Sequence, residues 1–142
     1  MAFELRLPGT VHAIQPPLGT HCFNGGLAEL RGRLLTVYRV NRRPSLLAVS
    51  ELDEHLRPVD AHLLWDSWDS VLIPEDPRVI ARGNELYLMW VGVNSKEWHK
   101  ATICHGVIDA DYRFVWKAPC AFEWQDIREK NWVPFTKDGD LY

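Results

Sequence analysis

Leu27-Ala28-Glu29-Leu30-Arg31-Gly32-Arg33-Leu34-Leu35 runs apolar residues into an Arg-Gly turn and out again, and the phrase returns twice more in the chain. The second copy is Arg78-Val79-Ile80-Ala81-Arg82-Gly83-Asn84-Glu85-Leu86-Tyr87, and the third is Trp132-Val133-Pro134-Phe135-Thr136-Lys137-Asp138-Gly139-Asp140-Leu141-Tyr142. Apolar runs on either side of a short glycine turn read as β-hairpins. The turn glycines Gly32, Gly83 and Gly139 are 51 and 56 residues apart. That is near the roughly 40–50 residues of a propeller blade, a small sheet that cannot bury its faces alone. The sequence therefore reads as all-β, a propeller rather than a plain β-sandwich, and as the opening of a longer protein.

Strand signals fill out each unit. Residues 26–30 and 34–40 form the first hairpin, with further strands at 45–52 and 59–65. The second unit repeats the scheme at 77–81, 86–93, 101–108 and 114–118, after a proline-rich lead-in over residues 1 to about 20. Even the turns between third and fourth strands correspond, Leu52-Asp53-Glu54-His55-Leu56-Arg57 against Ile108-Asp109-Ala110-Asp111-Tyr112-Arg113. The blades then occupy about 20–70, 71–125 and, incomplete, 126–142 of a single partial domain.

Composition narrows the function classes. A net charge of −3 and a pI near 6.0 give no footprint for nucleic acid or an anionic membrane. The longest apolar run, residues 86–93, suits a buried strand and is too short to span a bilayer. The three cysteines, Cys22, Cys104 and Cys120, are odd in number and widely spaced, so no disulfide framework is expected and a reducing cytoplasm is the expected location. His99, Cys104 and His105 lack the companions of a zinc motif, and no metal is expected.

In a propeller the first strands line a central channel, so distance from the turn glycine becomes informative. Asn24 lies 8 residues before Gly32, Asp76 lies 7 before Gly83, and Asn131 lies 8 before Gly139 with Lys130 beside it. Returning strands bring Arg39 and Trp90, each 7 residues after its glycine, to the same rim. Such a mouth suits a polar, anionic or sugar-like ligand. Bland readings stand beside these. Asp76 also reads as a turn cap with Arg78 paired to it or to Glu75, Arg39 as a rim ion-pair residue, Trp90 and Trp132 as either packing or a sugar platform, and Trp65, Trp68, Trp98, Trp116 and Trp124 as packing between blades.

Five short segments occur in a familiar order: Phe23-Asn24-Gly25-Gly26, Val37-Tyr38-Arg39-Val40, Ala48-Val49-Ser50, Glu75-Asp76-Pro77-Arg78 and Glu129-Lys130-Asn131-Trp132-Val133-Pro134-Phe135. In that order they resemble the five-bladed propellers of the β-mannoside phosphorylase and hydrolase family, of which this chain would supply about two and a half blades. The resemblance implies an enzyme that cleaves β-mannosides or related glycosides with inversion. Asp76 matches the acid that protonates the leaving oxygen, through a sugar hydroxyl. Asn24 matches a sugar ligand, and Arg39, Lys130 and Asn131 match groups that hold phosphate. Lys130 stands where phosphorylases commonly carry arginine, which keeps the charge and loses the fork of donors. The expected reaction is inverting phosphorolysis of a small oligosaccharide or glycoside with inorganic phosphate as co-substrate, inverting hydrolysis is the alternative, and homo-oligomers are compatible. A noncatalytic sugar-binding propeller and an inactive remnant are the other readings.

Overall fold

The structure is a computed structural model, and the described residues are 22–41, 44–64, 72–121 and 132–142. They form ten strands: β1 Cys22–Leu30, β2 Arg33–Val40, β3 Leu46–Leu52, β4 His62–Leu64, β5 Leu72–Arg82, β6 Glu85–Asn94, β7 Ala101–Ile108, β8 Phe114–Pro119, β9 Thr136–Lys137 and β10 Asp140–Leu141. The first eight make two antiparallel meanders, β1-β2-β3-β4 and β5-β6-β7-β8, and the last two make a separate hairpin. The all-β expectation holds among these residues. They form open sheets, and a closed ring of blades is not seen. No helix among them is long and apolar enough to cross a membrane. Among the described residues Cys22, Cys104 and Cys120 form no disulfide.

Turn chemistry explains the hairpins. Arg31 and Gly32 both take positive φ, as do Asp138 and Gly139, the signature of a two-residue type I′ turn. In the middle hairpin the loop is Gly83-Asn84 and only Gly83 has positive φ, which is the type II′ arrangement. The third-to-fourth strand turns also match. Asp53 Oδ1 accepts from the backbone N–H groups of His55 and Arg57 at 2.8 and 2.9 Å, and Asp109 Oδ1 accepts from Asp111 and Arg113 at 2.9 and 3.0 Å. These Asx bonds hold Leu56 and Tyr112 at φ 60°, a backbone that large side chains ordinarily avoid.

The first strands start earlier than the sequence signals suggest. Expected from Gly26 and Pro77, they begin at Cys22 and Leu72 because each passes through a β-bulge, between Phe23 and Gly26 and between Glu75 and Arg78. Pro77 lies inside its bulge and Pro74 on an edge strand, two places where a missing N–H leaves no ladder bond broken.

One face of the first sheet, with Leu35, Val37, Leu47 and Val49, packs on one face of the second, with Leu86, Leu88, Trp90 and Cys104. Tyr112 extends this junction: its ring lies 4.8 Å from that of His62, and the Arg33 guanidinium sits 5.8 Å above it. Arg31 Nε donates to Asn84 Oδ1 at 3.1 Å and ties the two turn tips together. Each sheet also has a second buried apolar patch on its other face, Tyr38, Val40, Leu46 and Ala48 in one and Val91, Val93, Ala101 and Ile103 in the other. Tyr38 and Ser50 share a 2.9 Å hydroxyl pair there.

The sheets approach closely at Gly26, where a Cβ would fall 3.0 Å from Val79 Cγ1 and 3.2 Å from the Val79 nitrogen. Gly26→Ala is expected to destabilise the fold by about 1–3 kcal/mol through overpacking, read as a lower urea midpoint at unchanged slope, and an unchanged midpoint would contradict the close approach.

His105, on the second sheet's outer face, packs edge-on to Trp116 at 4.9 Å, and burial pulls its imidazole below the ordinary 6.5. The unfolded chain therefore takes up a proton at this group first as pH falls, so His105's contribution to stability is constant above pH 6.5 and declines below it toward the lower folded value. His105→Gln is expected to flatten that acid limb in melts run from pH 7.5 downward, and a limb identical to wild type would assign the decline to other groups.

Candidate active site

The two bulges generate the site. In each, two residues of the first strand oppose one of the second: Asn24 and Gly25 face Tyr38, and Asp76 and Pro77 face Trp90. The leading residue takes left-handed backbone, φ 55° at Asn24 and 50° at Asp76. Asparagine and aspartate are the non-glycine residues that tolerate this best. Because β5 crosses the face of β1 at Gly26, the two leading residues meet, and Asn24 Nδ2 donates a hydrogen bond to Asp76 Oδ1. The amide thereby fixes one carboxyl oxygen and the orientation of the group.

Beside this contact stands an ion pair. Arg39 Nη2 lies 2.7 Å from Glu75 Oε1, with side chains 16% and 22% exposed. Arg39 Nε also donates to the Ser45 hydroxyl at 3.1 Å, and Ser45 is buried. Arg39 reaches Glu75 because it pairs with residue 23 in the ladder and projects from the face that Leu35 and Val37 turn toward the second sheet. Arg78 does not take the carboxylate expected of it; its Nη1 donates to the Pro77 carbonyl at 3.0 Å. A cavity of about 570 Å³ opens alongside, walled by Arg39, Asn41, Ser45, Ile73, Glu75 and Trp98.

Of the sequence-predicted residues, Asn24 and Asp76 come together, and Arg39 stands next to them through Glu75. Lys130 and Asn131 lie outside the described residues, as do Trp65, Trp68 and Trp124. Trp90 is corrected: it is 2% exposed and buried between the sheets, its ring 5.6 Å from Phe114, not at a rim. The spacing argument misplaced it because Gly32 is the second residue of its turn and Gly83 the first. Trp90 is thus the counterpart of Tyr38, and Val91 that of Arg39. Trp98 and Trp116, expected as packing, are 60% and 44% exposed. Glu75 was visible in the sequence only as a partner for Arg78. The signal that could have found its pairing with Arg39 is register: Glu75 occupies the same place before its bulge as Phe23, the residue Arg39 faces.

No protein-family model matches the sequence, and a comparison with curated proteins finds no match. Solved structures do share the fold. An endo-1,4-beta-xylanase from Bacteroides thetaiotaomicron superposes with a TM-score of 0.58 at 10% identity, over 92% of this chain and 50% of that one. An alpha-L-arabinofuranosidase from Lactobacillus brevis superposes with a TM-score of 0.53 at 15% identity, over 70% of this chain and 33% of that one. At these identities the likeness is one of fold, and this chain spans a half and a third of their lengths. The class reached is an all-β chain whose sheets are arranged as in part of solved glycoside hydrolases.

A double-mutant cycle tests the ion pair. Arg39→Met and Glu75→Gln are expected to show a coupling of about 1 kcal/mol in chemical unfolding, because the pair is mostly sheltered from water. Strict additivity would mean that the two side chains do not interact.

Proposed function

We propose that this chain is part of a carbohydrate-active enzyme that cleaves glycosides, with Asp76 as general acid and Asn24 as its positioning and sugar-binding partner. The Asn24–Asp76 contact carries the reading, because equivalent residues of two repeats converge where two first strands meet. A carboxyl held at one oxygen by an amide presents the other for proton transfer to a leaving glycosidic oxygen. The shared fold with a xylanase and an arabinofuranosidase supports a carbohydrate substrate, and the five-segment resemblance supports β-mannosides within that class.

Larger architecture follows the same logic. A two-layer sandwich needs one apolar face per sheet, whereas both sheets here have buried apolar patches on both faces. That pattern supports successive sheets stacked as propeller blades, with Asn24 and Asp76 toward one channel.

Inversion requires a nucleophile on the face of the sugar opposite the acid. Phosphate is the nucleophile the resemblance implies, with Arg39, Lys130 and Asn131 as its holders. The Arg39–Glu75 pair favours the second reading, hydrolysis, since a phosphate at Arg39 would have to compete with a carboxylate already 2.7 Å away.

Asp76→Asn in the full-length protein is expected to cut turnover of its glycoside by about 100-fold or more while leaving circular dichroism and melting temperature unchanged. Reactions on β-mannosides, xylan and arabinosides, run with and without inorganic phosphate, separate the nucleophiles: a sugar 1-phosphate marks phosphorolysis and free sugar without phosphate marks hydrolysis. Undiminished turnover in Asp76→Asn would sink the assignment, and saturable binding without product would identify a sugar-binding protein.

A further inference from the structure

We propose that the cavity beside the ion pair is a binding subsite for a neutral saccharide unit, with the Trp98 indole as its stacking platform and the Arg39–Glu75 pair as its hydrogen-bonding wall. The proposal rests on the carbohydrate reading above and adds a place for a sugar unit alongside the reacting centre. Its walls come from both sheets: Arg39 and Asn41 at the end of β2, Ser45 before β3, Ile73 and Glu75 on β5, and Trp98 in the β6–β7 loop. The volume of about 570 Å³ lies inside the roughly 300–1,000 Å³ usual for small-molecule sites.

Trp98 is the informative wall. An indole 60% exposed leaves a large apolar face in water, an arrangement that suits a face covered only when ligand arrives. The loop beneath it is held by a set of bonds. Asn94 Oδ1 accepts from the N–H groups of Lys96 and Glu97 at 2.9 and 3.1 Å. The Asn94 N–H donates to the Lys100 carbonyl at 3.0 Å and the Lys100 N–H to the Glu97 carbonyl at 2.7 Å. Lys100 Nζ closes the turn on Glu97 Oε1 at 2.9 Å. An aromatic presented on so constrained a turn costs little ordering entropy on binding.

The chemistry of the walls selects the ligand. A sugar ring has an apolar C–H face that fits an indole, and a rim of hydroxyls that both donate and accept. Glu75 offers acceptors, Arg39 donors in a planar fork, and Asn41 both. Among the described walls the arginine and glutamate charges offset each other, and a phosphate or uronate bound there must compete with Glu75 for Arg39.

The test uses the full protein, calorimetric titration with neutral manno- and xylo-oligosaccharides, and inorganic phosphate as the anionic probe. Trp98→Ala is expected to weaken oligosaccharide binding about tenfold, to raise KM with kcat unchanged, and to leave the melting temperature where it was. Trp98→Phe recovers part of the affinity, and Trp116→Ala, which removes an exposed indole outside this cavity, changes nothing. Wild-type affinity and KM in Trp98→Ala, tighter binding of phosphate than of saccharide through Arg39, or no saccharide binding at all would each overturn the subsite. Asp76→Asn keeps the wild-type dissociation constant under this scheme. Loss of binding in Trp98→Ala without turnover in any variant upholds the subsite and defeats the catalytic reading, while an inactive Asp76→Asn beside an unaffected Trp98→Ala does the reverse.

Discussion

The approach of β5 to β1 at Gly26 is the constraint from which the rest follows. With no Cβ at residue 26, the backbone of Val79 comes into contact, and two sheets whose strands do not pair with each other among the described residues are brought within side-chain reach. Four residues then find partners across the junction: Asn24 with Asp76, and Arg39 with Glu75. The apolar layer of Leu35, Val37, Leu86, Leu88 and Trp90 holds the sheets together, since burying such side chains is worth about 1.5–3 kcal/mol each. The bulges then aim the polar residues. Stability and chemistry are thus divided along the same strands, with packing near the turns and polar groups at the far ends.

Much of this was legible in the sequence because it depends on local rules. Arg31-Gly32 and Asp138-Gly139 announce type I′ turns, and the aspartates at 53 and 109 announce Asx turns, through backbone preferences that act within a few residues. The strand β7 was legible over its full length, Ala101–Ile108, because every one of its residues pairs in unbroken register with β6. Less legible were features set by pairing. Pro74 and Pro77 look like strand breakers, and only an edge position and a bulge reconcile them with β5. Equally, counting from a glycine assumes that the glycine fills the same slot in every turn. The exchange of slots between Gly32 and Gly83 moved Trp90 by one residue, and a one-residue move in a strand changes faces. Trp90 therefore reads as a rim residue and packs as a core residue.

The charges at the junction are matched locally. Glu75 answers Arg39, and Ser45 takes a further donor of the same guanidinium. A site assembled for an anion would be expected to leave cationic donors uncommitted, since each competing carboxylate must be displaced before the anion binds. The described part of the mouth has instead the mixed, nearly neutral character that hydroxyl-rich ligands use.

Residues 24 and 76 answer two demands at once. A bulge whose first residue is left-handed favours glycine, and after it asparagine and aspartate, so backbone geometry alone accounts for much of the residue choice at both positions. What geometry does not account for is the difference between them. The two bulges have nearly the same φ, 55° and 50°, yet one carries an amide and the other a carboxyl, and these are the two groups that complement each other as donor and acceptor. Two aspartates would repel across the junction, and two asparagines would carry no carboxyl, the group the proposed general acid requires. A repeated backbone device with a diversified side chain is how a duplicated unit acquires an asymmetric centre, and Asn24 facing Asp76 is that asymmetry in this chain.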